Sequence, residues 1–369
     1  MKKIQQHTIN VLKVLLYPLL AILSILFSII LFVRHFLYDK KILKSYSFEN
    51  VLVICIGNLN FGGTGKSPFT NYLIELLKPK YKIAVLSRGY GRKSKGFRLV
   101  EINNHFSEVG DEPLMYKLKN PEITVAVCED RVFGIQQILN QFPSTQIILL
   151  DDAFQHRRIK AHLNILLTDF SKPFLKDHLF PLGKLRDLKS SSHRADWIIV
   201  SKVPENTDEE QINLLKEKIN HYSKKEVFFN SIEYQNFYSL FSPEHKLNIY
   251  KELAHYNCIL ITGIANPLPL ATFIKEYAQH FYHLKYPDHY NFSEKDIDLI
   301  LELFKSWQEK HPPVILVTTE KDAVRLKPLL HSYSNLPIFV APIQLNFESH
   351  SPSFNSKLLT YVATNSRNN

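Results

Sequence analysis

The chain has 369 residues, a formal net charge of +10, 45% hydrophobic and 22% charged residues, and three cysteines. That composition excludes a disordered chain and leaves room for two globular domains plus an appendage. Cys55, Cys128 and Cys258 lie in apolar, strand-like runs without ligand spacing, which excludes a cysteine metal site and suits reduced, buried thiols of a cytoplasmic protein.

In chain order, residues 14–33 come first as 20 consecutive positions without a charge, enough for a helix to cross a bilayer. No small-residue cleavage site follows, so a signal peptide is disfavoured. Lys2, Lys3, Lys13, Arg34, Lys40, Lys41 and Lys44 flank the run. Residues 1–50 carry +5 of the net charge, which suits anionic lipid headgroups. No nucleic-acid motif accompanies these charges, and no nucleic-acid partner is expected.

Beyond this anchor, apolar β-rich runs alternate with helix-like stretches. Strands are predicted at 51–56, 82–86, 123–128, 146–150, 163–168, 196–201, 227–232, 258–262, 281–285, 314–318 and 337–340. Helices are predicted at 68–78, 111–119, 130–141, 207–222, 268–278, 293–308 and 320–329. Continuous apolar runs such as Ile147-Ile148-Leu149-Leu150 suit parallel strands covered on both faces, so the fold class is α/β and doubly wound, and it is P-loop NTPase-like if a phosphate loop follows the first strand. Four segments are expected: a membrane anchor over 1–45, a P-loop subdomain over 46–203, a second α/β subdomain over 204–345 and a loose polar tail over 346–369. The polar stretch at 201–210 is the expected linker.

Between the first strand and the first of these helices lies Gly62-Gly63-Thr64-Gly65-Lys66-Ser67. Glycines there let backbone N–H groups surround an anion, Lys66 reaches β- and γ-phosphates and Ser67 suits Mg²⁺. Asn60 stands where the full G-x-x-x-x-G-K-[ST] pattern has its first Gly. About 85 residues on, the Ile147–Leu150 run delivers Asp151 and Asp152 at a strand end, as a Walker B element does. Further polar clusters follow strand ends: Ser87-Arg88-Gly89-Tyr90-Gly91-Arg92, Gly110-Asp111-Glu112-Pro113, Asp130-Arg131, Gln155-His156-Arg157-Arg158 and Gly183-Lys184-Leu185-Arg186-Asp187. Together they supply the proton acceptor, metal carboxylates and cations that phosphoryl transfer requires.

The ordered set resembles the tetraacyldisaccharide 4′-kinases, the lipid A 4′-kinase family of Gram-negative bacteria, over roughly residues 10–345. Besides the anchor and phosphate loop it includes Ser-Arg-Gly-Tyr-Gly, Gly-Asp-Glu-Pro, Asp-Asp-x-Phe-Gln-His, Arg-Ala-Asp, Thr-Gly-Ile-x-Asn-Pro, Pro-Asp-His and Thr-Glu-Lys-Asp-Ala. The resemblance implies ATP and Mg²⁺ as cofactors, a tetraacyl disaccharide 1-phosphate as acceptor through its 4′-hydroxyl, and work at the cytoplasmic face of the inner membrane. It also implies two α/β/α subdomains around a cleft. Asp111 is implied as the catalytic base with His289 as its partner, Lys66 as the phosphate cation, and Gly62 to Ser67 as the nucleotide loop. Ser67, Asp151, Asp152 and Asp187 are the implied metal-site residues, with Asp187 standing where the family usually has a longer Glu. Asn58, Arg88, Glu112, Arg131, Gln155 and His156 are the expected substrate contacts. On the expected boundaries Asp111 and His289 fall on separate halves, so that domain closure would complete the site.

Three rivals remain. A positioning-type ATPase switch usually has an extra Lys before the Gly pair, where this chain has Phe61. A GTP-binding protein needs Asn-Lys-x-Asp, which Thr319-Glu320-Lys321-Asp322 does not match. A membrane scaffold leaves the phosphate loop unexplained.

Overall fold

The structure, a computed structural model, describes residues 2–366, with side chains from Tyr17 onward. The expected basic flank of Lys2, Lys3 and Lys13, the start of the apolar run and the last three residues of the tail lie outside the described side chains.

Chain order runs α1 (Lys2–Asp39), β1 (Leu52–Asn58), α2 (Lys66–Leu77), β2 (Ile83–Ser87), β3 (Arg98–Leu99), α3 (Phe106–Val109), α4 (Asp111–Lys119), β4 (Thr124–Val127), α5 (Arg131–Gln141), β5 (Ile147–Leu150), β6 (Leu163–Asp169), β7 (Trp197–Ser201), α6 (Glu209–Ser223) and β8 (Glu226–Phe229). It continues with β9 (Ser231–Tyr234), β10 (Phe237–Ser239), β11 (Lys246–Leu247), β12 (Asn257–Thr262), α7 (Leu268–Tyr277), β13 (Phe281–Lys285), α8 (Glu294–Lys310), β14 (Val314–Thr319), α9 (Glu320–Leu326), β15 (Ile338–Ala341), β16 (Ile343–Asn346) and α10 (Phe354–Asn365).

Two compact units emerge, each discontinuous in sequence: residues 1–87, 130–231 and 346–369 form the first, and residues 88–129 and 232–345 the second. In the first, parallel strands run in the order β2-β5-β1-β6-β7-β8. Every residue of β1 is buried, with Leu52 beside Ile147 and Ile54 beside Leu163. A strand buried on both faces reads as an unbroken apolar run, which is how Val51 to Ile56 betrays itself in the sequence.

The boundary differs from the expected one at residue 203. Strand β8 aligns parallel with β7, Trp197 beside Glu226, so residues 204–231 stay with the first unit. Val227 and Phe229 join a core cluster with Ile198, Val200, Leu215 and Ile219. The tail differs as well. Residues 354–365 form α10, whose Phe354, Leu358 and Val362 are buried at helical spacing, and Phe354 stacks on Phe347 with ring centroids 4.1 Å apart.

In the second unit a sheet of order β11-β10-β15-β14-β12-β13 separates two cores. Cys258 and Leu260 pack into one, while the alternate residues Ile259 and Ile261 pack into the other, the period-two consequence of a sheet covered on both sides. Helix α4 packs against α9 in this unit, with Lys119 and Glu320 paired at 2.6 Å. The three cysteines are buried, and burial pushes the Cys55 and Cys258 thiols up to about 12.

Within α1, residues Tyr17–Asp39 are long and apolar enough to cross a membrane. Ser24, Leu31 and His35 are buried along one stripe of it, whereas Ile25, Ile29, Ile30 and Phe32 are exposed. Ser24 Oγ donates to the Leu179 carbonyl at 3.0 Å, Arg34 donates to the Gln155 carbonyl at 2.7 Å, and Asp39 pairs with Arg157 at 2.6 Å. The helix is therefore fastened to the first unit by polar contacts and presents the rest of its apolar circumference outward.

Candidate active site

Strand β1 ends at Asn58 and the loop to α2 turns at Gly65, whose φ of 87° lies in the left-handed region that a side chain rarely adopts. A Cβ there would also stand 3.2 Å from Ser201 Oγ. The loop is braced from within and from behind. Asn58 Nδ2 donates to Thr64 Oγ1 at 2.8 Å. Ser201 Oγ donates to the Thr64 carbonyl at 2.6 Å, and Lys202 Nζ reaches both the Gly63 carbonyl and, at 2.8 Å, Asp169. Ser201 and Lys202, expected in a linker, instead hold the phosphate loop.

Lys66 and Ser67 open α2, so the helix N-terminus and its N–H groups face whatever anion the loop receives. Lys66 Nζ lies 3.8 Å from Asp152 Oδ1. Arg186 forks onto Asp152, with Nη1 donating to Oδ2 at 3.1 Å and Nη2 contacting Oδ1, and also touches Asn58 Oδ1. Burial pushes the Asp152 carboxyl up, but Lys66 and Arg186 outweigh it and bring it down to about 2. Asp152 also has a positive φ of 49°, a conformation that concentrates at functional sites. Asp151, one residue before it, is buried and accepts from Thr70 Oγ1 at 3.4 Å and Ser87 Oγ at 3.3 Å.

Two expected roles change. Asn58 is fully buried and its amide is engaged by Thr64 and Arg186, so it shapes the loop rather than meeting substrate. Asp187 is also fully buried. Its Oδ1 accepts from His35 Nε2 at 2.6 Å, Ser191 Oγ at 2.9 Å and its neighbour's Leu188 N–H at 2.8 Å, and its Oδ2 accepts from Arg194 at 2.8 Å. A carboxylate so occupied has no face left for a cation; it ties α1 to the first unit. Burial pushes its carboxyl up, and His35 and Arg194 draw it below the ordinary range.

Ser67, Asp151 and Asp152 remain as a hard oxygen set suited to Mg²⁺ with phosphate oxygens and water. Among the described residues no cluster of three or more His, Cys, Asp or Glu side chains has metal-site geometry, so any Mg²⁺ there would rely on phosphate oxygens as well. Arg131 is buried at the start of α5 and donates to the Asp151 carbonyl at 3.3 Å. Gln155 Nε2 donates to the Asn58 carbonyl at 2.9 Å, and His156 is half-buried in the turn after β5.

The second unit holds the other cluster. Gly110, at φ 93°, caps α4, and a Cβ on it would stand 3.0 Å from the Gly89 Cα. This close approach starts α4 at Asp111 with its side chain buried at the helix N-terminus. Asp111 and His289, expected on separate halves, belong to the same unit and are in contact: Asp111 Oδ2 lies 3.0 Å from His289 Nδ1. Asp111 Oδ1 accepts the Glu112 N–H at 2.9 Å. His289 sits in the Pro287-Asp288-His289 turn with a φ of 56°, its ring 5.3 Å from that of Tyr90. Burial pushes the Asp111 carboxyl up, but the His289 hydrogen bond and the Lys321 and Arg325 charges prevail and hold it well below the ordinary range. It is a buried, ionised carboxylate, the state a proton acceptor requires. Glu112 accepts from Lys321 at 3.3 Å, and Arg88 is exposed just beyond β2.

Arg186, Ser201, Lys202, Lys321 and Arg325 take individual places around these sites only in the structure. Arg186 and Lys321 stand inside short local motifs, which is the available signal; Ser201 closes a strand and Lys202 follows it, and neither carries a signal of its own.

Against known proteins, the tetraacyldisaccharide-1-P 4′-kinase family matches residues 16–363. The tetraacyldisaccharide 4′-kinase of Bacteroides thetaiotaomicron is 39% identical over 365 residues, covering 96% of this chain and 94% of its own. The enzyme of the same name from Flavobacterium psychrophilum is 40% identical over 361 residues, covering 97% and 99%. Among solved structures, LpxK from Aquifex aeolicus, crystallised in complex with ATP, superposes with a TM-score of 0.72 at 28% identity, over 96% of this chain and 100% of that one.

Proposed function

The chain belongs to the tetraacyldisaccharide-1-P 4′-kinase family, and on that premise we propose that it moves the γ-phosphate of ATP to the 4′-hydroxyl of a tetraacyl disaccharide 1-phosphate, with Asp111 taking the hydroxyl proton. It is a phosphotransferase with a hydroxyl acceptor, working in lipid A biosynthesis. The phosphate loop cradles the triphosphate through backbone N–H groups of residues 62–67, and Lys66 offsets charge on the transferring phosphoryl group. Mg²⁺, held by Ser67 with Asp151 and Asp152, would supply further charge neutralisation at the phosphate oxygens. Arg186 keeps Asp152 ionised and in place. Arg131 anchors the strand end that carries Asp151, and Arg88, Glu112, Gln155 and His156 are the candidate contacts to the sugar or phosphates.

Asp111 accepts the proton as the sugar oxygen attacks phosphorus and the bond to the leaving ADP oxygen breaks; His289 orients the carboxylate. The contact between the buried Asp111 and the half-exposed His289 carries this reading, because a structural carboxylate at a helix N-terminus needs no histidine beside it. Asp111→Asn should lower kcat by a factor of about 10² or more with little change in ATP affinity, measured by phosphate transfer from labelled ATP to the disaccharide lipid in micelles. An unchanged kcat would move the base role elsewhere.

We further infer that α1 holds the enzyme at the cytoplasmic face of the inner membrane, where its acylated substrate resides. The outward apolar face of α1 and the basic residues after it, Lys40, Lys41 and Lys44, support this.

A further inference from the structure

The Thr319-Glu320-Lys321-Asp322 run has no part in the chemistry above, yet it stands against the proposed base. Thr319 caps α9, accepting the Asp322 N–H at 3.1 Å. Lys321 and Arg325 are four residues apart, so one helix face presents both cations to the same place. Lys321 Nζ lies 3.0 Å from His289 Nε2, 3.3 Å from Glu112 Oε1 and 4.0 Å from Asp111 Oδ2. Arg325 Nε lies 3.6 Å from Asp111 Oδ2, while its Nη1 donates to the Tyr290 carbonyl at 2.8 Å and its Nη2 to Asp322 at 2.9 Å. Asp322 in turn accepts the Gly263 N–H at 3.0 Å, and the Gly263 carbonyl accepts the His289 N–H at 3.0 Å. Helix α9 therefore grips the His289 turn from its backbone as well as from the ring.

An ammonium has three donors and no acceptor. At 3.0 Å from Nε2 it can only donate, so Nε2 carries a lone pair and the ring proton sits on Nδ1, pointing at Asp111. We propose that Lys321 is a positioning residue for the phosphotransfer: it occupies the Nε2 lone pair of His289, fixes the ring in place with its proton on Nδ1, and so holds a hydrogen-bond donor on the base. Without that donor the ring is free to turn or to carry its proton on Nε2 instead, which sets a bare Nδ1 lone pair against the carboxylate and takes the donor off the base. The groups facing His289 and Asp111 are Glu112 on α4, Asp288 and Tyr290 on the turn, Tyr90, and Lys321, Asp322 and Arg325 on α9. None but Lys321 donates to Nε2 among the described residues.

The inference rests on Asp111 being the base, so its test has an arm that does not. In the full-length protein labelled with ¹⁵N-histidine, and with His289→Ala assigning the signal, the His289 ring should show the Nδ1–H tautomer with a bare Nε2, and should move toward the Nε2–H tautomer in Lys321→Met. In the transfer assay, Lys321→Met should lose about tenfold in kcat and keep its ATP KM within about twofold. Lys321→Arg, which still donates, should recover most of the loss. In a His289→Ala background Lys321→Met should cost little more. Lys119→Gln, which cuts an ion pair between the same two helices without touching His289, is the control for packing and should leave kcat in place. An Nε2 that stays bare in Lys321→Met, or a loss that multiplies in full with His289→Ala, overturns the proposal. If Asp111→Asn keeps full kcat the base reading fails, and the ¹⁵N result alone still decides whether Lys321 sets the state of the ring.

Discussion

His35 and His289 each stand between a cation and a carboxylate, with opposite ring polarity. His35 directs Nε2 to Asp187 and receives Arg157 on Nδ1; His289 directs Nδ1 to Asp111 and receives Lys321 on Nε2. The chemistry is shared and the surroundings separate the roles, since Asp187 is saturated by four donors while Asp111 keeps lone pairs for a substrate. Asp187→Asn should therefore cost about 1–3 kcal/mol by removing the buried charge that the partly buried Arg194 and His35 meet, seen as a lowered Tm, and leave the Mg²⁺ dependence of the activity unmoved. Because the folded carboxyl lies below its ordinary value, that stabilisation is present above the ordinary carboxylate range and disappears as pH falls through the folded value. The gap between variant and wild type should thus close in acid. Lys66→Ala should do the reverse, lowering kcat by about 10²–10³ through lost stabilisation of the transferring phosphoryl group while leaving Tm near wild type. The sequence displays the phosphate loop, Asp111 and His289, because each stands in a short local motif. It cannot display that Asp187 meets a histidine 152 positions earlier, and so a motif position alone suggests a metal ligand.

At the scale of elements, parallel strands were readable because burial on both faces makes them continuous apolar runs. The short β3, β10, β11 and β16 were not, since two to four residues hold no periodicity to read. Helix α10 hides for another reason: its apolar contacts are spaced through a Ser- and Asn-rich tail whose polarity belongs to the outer face. Leu358 is fully buried there, and Leu358→Ala should cost about 2–5 kcal/mol, measured by denaturant unfolding. Helix α1 divides into a span and a clasp. Removal of residues 1–33 should release the protein from membranes with a small loss of Tm from Ser24 and Leu31, whereas removal of residues 1–39 also strips His35 from Asp187 and Asp39 from Arg157 and should lower Tm much further. Flotation and thermal unfolding of the two truncations measure the difference.

For the whole molecule, the expected division at residue 203 assumed that each unit is one continuous stretch. The polar residues 201–210 resemble a linker by composition, yet Ser201 and Lys202 serve the phosphate loop and β8 completes the sheet beyond them. Composition marks exposure of a loop, but only strand pairing marks where a unit ends. Both units are interrupted, and the first closes only with the segment after residue 346. That has a consequence for biosynthesis. At ribosomal speeds of about 5–20 residues per second, the strands around the phosphate loop wait on the order of 10–50 s for α10 to be translated. Helix α1 precedes them all, so the nascent chain can reach the lipid bilayer long before it can complete the unit that binds ATP. A chain arrested before residue 354 would be tethered with the partners of Phe354, Leu358 and Val362 uncovered, which makes it a client for chaperones and membrane proteases rather than an idle kinase.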